Sequence, residues 1–128
     1  MTVTRSIVTA GIATTLGAGL LLAPAAHAGG SGVRASGSCS ATGSWHLQAE
    51  HDNGRIEVEA EVDGNRAGRT FNRTIRNNGT VVRRGAATTH APSGSFSITR
   101  RVTDKPGAAH VVFRATRPGN VCQGSVRV

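Results

Sequence analysis

The chain has little of what most proteins use to fill a core or to do chemistry. Among its 128 residues there is no tyrosine, a single tryptophan and 3 phenylalanines. So few aromatics argue against a stacking platform for nucleic-acid bases and leave the interior to Val, Ile, Leu and Ala. There are 2 cysteines and no Cys-x-x-Cys pair. That argues against a zinc ribbon or a dithiol redox site. Acidic residues number 7, and all but Asp104 fall between Glu50 and Asp63. No stretch keeps a helical period, so no helix is offered to a DNA groove.

Long apolar runs are also missing, with one exception. Ile7 to Leu22 is apolar, Arg5 is the only charge before it, and Ala26-His27-Ala28 is a small-x-small cleavage site. Residues 1–28 therefore read as a signal peptide, cut after Ala28. No Arg-Arg pair precedes the run and no cysteine follows the cut. The general secretion route is expected, with a released, extracellular product and no membrane span in the mature chain. Residues 29–128 are about the length of one domain. An even pair of cysteines in an exported chain predicts a disulfide, Cys39–Cys122.

What is present is alternation. Ser44 to Asp63 places Trp45, Leu47 and Ala49 on one parity, and Ile56, Val58, Ala60 and Val62 on another, around Asn53-Gly54. Asn-Gly supplies the positive-φ pair of a two-residue hairpin turn. That turn pairs His51 with Ile56, Ala49 with Val58, Leu47 with Ala60 and Trp45 with Val62. All the large apolar residues then share a face. The other face carries Glu50 opposite Glu57, Gln48 opposite Glu59 and His46 opposite Glu61. Arginines of a fourth strand, Arg69 to Arg76, are expected to neutralise this ladder.

Further strands are expected at about 33–41, 69–77, 80–86, 94–103, 109–117 and 121–127. In the first, Val33, Ala35, Cys39 and Ala41 share the inward parity. Asn78-Gly79 predicts a second hairpin, with Ile75 opposite Val82 and Phe71 opposite Ala86. That register also sets Arg73 against Arg84 on one face, a repulsion that a bulge would relieve. Residues 87–93 are a plausible crossover between sheets. About eight short strands punctuated by Gly, Pro and Asn turns predict an all-β antiparallel sandwich, immunoglobulin- or fibronectin-like, ahead of a barrel.

Charge gives the other lead. Lys and Arg total 15 against 7 acidic residues, for a formal net charge of +8. Apart from Arg5, Arg34 and Arg55, every basic residue follows the acidic hairpin. Arg73, Arg76, Arg83, Arg84, Arg100 and Arg101 are the candidate polyanion-binding residues. A solvated cationic surface is the plainer alternative.

No catalytic constellation is found. Gly94-Ser95-Phe96-Ser97 is not a nucleophile elbow. His90, Ser93 and Asp104 can be drawn as a triad, but no spacing supports it. His46 with Glu59 and Glu61 lies on a flat strand face that does not enclose an ion. No cofactor or metal is expected. Asn72-Arg-Thr74 and Asn78-Gly-Thr80 match glycosylation sequons.

VRASGSCS, HDNGRIEVEAEVD, NNGTVVRRG, THAPSGSFS and the near-terminal cysteine resemble a group of small, secreted, uncharacterised β-sandwich proteins of actinobacteria. The resemblance implies secretion, one disulfide and a β-sandwich, and nothing about a reaction. The expected role is a non-catalytic extracellular or cell-envelope binding module for an unidentified protein or cell-wall ligand. The alternative is a cationic polyanion-binding or antimicrobial protein, taking nucleic acid, teichoic acid or an acidic polysaccharide.

Overall fold

Asn53 and Gly54 have φ of 51° and 78°, and Asn78 and Gly79 have 51° and 87°. Both Asn-Gly pairs thus adopt the left-handed pair that a tight hairpin needs. The structure, a computed structural model, describes residues 32–128; the predicted leader and its cut after Ala28 lie outside them.

The strands are β1 (Val33–Ser38), β2 (Ser44–Asp52), β3 (Arg55–Asp63), β4 (Thr70–Asn77), β5 (Thr80–Thr88), β6 (Ser95–Thr103), β7 (His110–Arg117) and β8 (Asn120–Arg127). They form two antiparallel four-stranded sheets, ordered β1-β2-β3-β6 and β5-β4-β7-β8. No helix occurs among the described residues. The expected all-β sandwich is what forms. Its order is its own. The first three strands run as a meander in one sheet, whereas immunoglobulin order places the third strand opposite. Residues 64–69, 89–94 and 104–109 carry the chain between sheets.

The first hairpin has the predicted register from Trp45↔Val62 to His51↔Ile56. Its apolar side is closed from water: Leu47, Ala49, Ile56, Val58, Ala60 and Val62 are all buried. Facing them are Phe71, Ile75, Val111, Phe113 and Ala115 from the second sheet.

Two expectations are corrected. In the second hairpin a bulge falls between Ile75 and Arg76, so Phe71 meets Ala87, Arg73 meets Gly85 and Ile75 meets Arg83. The shift removes the direct opposition of Arg73 and Arg84. The extra residue turns Arg84 outward opposite Thr74 and leaves Arg73 facing glycine on the inner side. Ala41 is exposed, because β1 ends at Ser38 and the chain leaves the sheet after the buried Cys39.

Cys39 and Cys122 form the predicted disulfide, spanning 83 residues of sequence. The same end is stitched by hydrogen bonds. Asn120, itself buried, donates from Nδ2 to the Thr42 carbonyl (2.9 Å) and accepts at Oδ1 from the Ala41 amide (2.9 Å).

Candidate functional site

In a strand, neighbouring side chains point to opposite faces, so the arginines must be sorted by parity. On the second sheet Phe71, Ile75, Val111, Phe113 and Ala115 point inward. Arg76 and Arg114 therefore point outward, and the bulge brings Arg84 out with them. Cross-strand register places Arg84, Thr74 and Arg114 in one row. Arg76 stands in the next row, opposite Val112. With strands about 4.8 Å apart, Arg84 and Arg114 flank Thr74 across about 10 Å. Asn72, Thr116, Thr74 and the three arginines line a shallow depression here of 540 Å³. Arg127, outward on β8, extends the positive field. None of β4, β5, β7 or β8 contains an Asp or Glu.

The outer face of the first sheet has the opposite character. Its rows read Arg34–Gln48–Glu59–Thr99 and Ser36–His46–Glu61–Ser97. Among the described residues only Glu57 and Asp52, at one end of the ladder, meet an arginine, and it does not come from the fourth strand. Residues 64–69 carry β4 into the opposite sheet, so β6 lies beside β3. Arg101 stands opposite Glu57 and reaches Asp52 at 3.0 Å and Glu57 at 3.5 Å. This pairing is half-exposed and contributes about 1 kcal/mol or less.

The six candidate arginines thus fall in three places. Arg76 and Arg84 share the outer face of the second sheet. Arg101 sits on the outer face of the first, among carboxylates. Arg73, Arg83 and Arg100 point between the sheets at the β5–β6 edge. Arg114 and Arg127 complete the basic face and were missing from the candidates. Their signal was parity: with Val111, Phe113 and Ala115 inward, Arg114 has to face out.

The triad drawn from sequence is not assembled. His90 and Ser93 lie beyond the Ser95 end of β6, where Ser93 Oγ meets Ser95 Oγ at 2.7 Å. Asp104 follows the other end and holds His51 Nδ1 at 2.8 Å. Among the described residues, no three His, Cys, Asp or Glu side chains come together as a metal site. No family model, curated protein or solved structure matches the chain.

Proposed function

We propose that this domain is an extracellular, non-catalytic binding module whose ligand is a polyanion lying along the outer face of the β5-β4-β7-β8 sheet. The observation that carries the reading is the segregation of charge. Arg76, Arg84 and Arg114 converge around Thr74 on a sheet whose four strands hold no carboxylate. An arginine fork takes two oxygens of a phosphate or sulfate at once, and rows of them suit a repeating anion. Asn72, Thr74 and Thr116 add neutral donors between the charges. The face offers no Phe, Tyr or Trp side chain, which favours backbone charge over bases as the recognised feature. A Cys39–Cys122 disulfide is compatible with work outside the cytoplasm. So is the resemblance to secreted actinobacterial proteins.

Chromatography on a sulfated polysaccharide and on wall teichoic acid tests this. The wild type should be retained at low salt and released by moderate salt. Arg76→Gln, Arg84→Gln and Arg114→Gln together should lower the log-log salt slope by about one per arginine removed. Arg34→Gln, Arg55→Gln and Lys105→Gln remove the same charge from elsewhere and should leave retention nearly intact. Equal losses in the two triple variants, or no retention of the wild type at low salt, would defeat the proposal.

A further inference from the structure

The side chains of Arg73, Arg83 and Arg100 share the inward parity and point away from that face, although the Arg73 and Gly85 positions also line its depression. Arg73 shares the inward side of β4 with Phe71 and Ile75. It is 7% exposed, and its Nε is buried with no hydrogen-bond partner among the described residues. Its guanidinium lies over Gly85 of β5, where a Cβ would stand 3.0 Å from one terminal nitrogen. The arm therefore runs across the interior toward the sheet edge. Arg100 points inward from β6, opposite Val58. Burial first, and the charge of Arg100 second, lower the Arg73 guanidinium from its ordinary value. Arg83 faces inward from β5 and latches the edge. Its Nη1 donates to the Val82 carbonyl at 2.7 Å, and its Nη2 to the Arg101 carbonyl of β6.

Nothing acidic compensates this cluster. Six of the chain's Asp and Glu residues belong to the first hairpin, on its outward parity, and the seventh, Asp104, is held by His51. A guanidinium does not shed its proton, so burial leaves an unpaired charge beside a second one. An anion held against these guanidiniums would remove that penalty.

We propose that Arg73 and Arg100, behind the Arg83 latch, hold one small oxoanion of the phosphate, sulfate or carboxylate class at the β5–β6 edge. The planar fork of Arg73 matches two oxygens of such a group. Arg100 gives Nη1 to the Thr99 carbonyl at 2.8 Å, which orients it and leaves other donors for a ligand. Two sources share this chemistry: a free inorganic anion, or a charged group of a polymer bound nearby. The site does not depend on the arginine face being functional.

Thermal unfolding in inorganic phosphate, against sodium chloride of equal ionic strength, tests it. In the wild type, Tm should rise with phosphate and saturate, as a native-state site requires. General exclusion of phosphate from protein surface gives a non-saturating rise common to all variants. Arg73→Met should lose the saturating part, and in chloride should melt no lower than the wild type. Arg84→Gln, on the outer face, should keep it, even where it loses retention on the polysaccharide. If Arg73→Met does not fold, phosphorus NMR serves: the phosphate line should broaden with wild type and stay sharp with Arg100→Gln. Stabilisation by teichoic acid that inorganic phosphate displaces marks the polymer as the source; additive stabilisation marks the free ion. A phosphate response equal in wild type and Arg73→Met, or a wild type with no saturating response, overturns the site.

Discussion

Trp45 is buried because two other residues have no side chain. Its indole lies against Gly37 of β1 and Gly124 of β8, each two positions from a cysteine of the disulfide. A Cβ at Gly37 would come within 2.8 Å of the ring, and one at Gly124 would fall inside its van der Waals surface. Gly124→Ala should therefore destabilise by overpacking alone, by about 1–3 kcal/mol. Chemical denaturation followed by Trp45 fluorescence measures this, with an unchanged midpoint counting against the account. The residue scale is also where the sequence misled. Arg83-Arg84 and Arg100-Arg101 look like clusters in one dimension. On strands, each pair is split between faces. Arg84 and Arg114, far apart in sequence, are the true neighbours. Parity was readable; grouping by proximity overrode it.

Hairpins behaved according to how many independent signals fixed them. In the first, the turn residues and two alternating strands agreed, and its register was readable residue by residue. In the second, only the turn and a few apolar residues spoke, and the Arg73–Arg84 conflict was the clue that a residue had to be inserted. The turn itself makes a separable contribution. Gly54 has φ of 78° and a Cβ there would meet nothing within 4 Å. Gly54→Ala should cost about 1–2 kcal/mol through backbone strain. Measured beside Gly124→Ala, it separates conformational from steric cost, since a bulky alternative such as Gly54→Val would add strain but no clash. The crossovers were less legible. Residues 87–93 were expected to change sheets, and residues 89–94 do. That residues 64–69 also cross was not foreseen, which is why the partner of the acidic ladder was misassigned. The anchor of both crossings, Thr89, is buried: its Oγ1 accepts from the Arg69 amide at 2.9 Å and donates to the Arg66 carbonyl. A lone threonine in a polar link gives no sequence signal of such a role.

At the scale of the whole domain, residues 32–128 form two thin layers with a small interior, and the covalent clasp matters accordingly. A cross-link closing 83 residues contributes about 4–5 kcal/mol in the chain-entropy account. That is a large share of the roughly 5–15 kcal/mol available to a small domain. Cys39→Ser with Cys122→Ser should lower the urea midpoint steeply, and reductant should do the same to the wild type. A midpoint indifferent to reductant would mean that the interior and the Asn120 hydrogen bonds suffice. The layering has one more effect, on how the molecule meets a charged wall. Its hairpin carboxylates and the Arg76, Arg84 and Arg114 guanidiniums lie on the outer sides of opposite sheets, whose backbones are about 10 Å apart. At ordinary ionic strength the screening length is about as long. On the proposed reading, an approaching anionic wall would feel little beyond the nearer layer, and the protein would turn its arginines toward it as if its rear were neutral. The quantity that governs docking is the charge of one side, not the +8 of the chain.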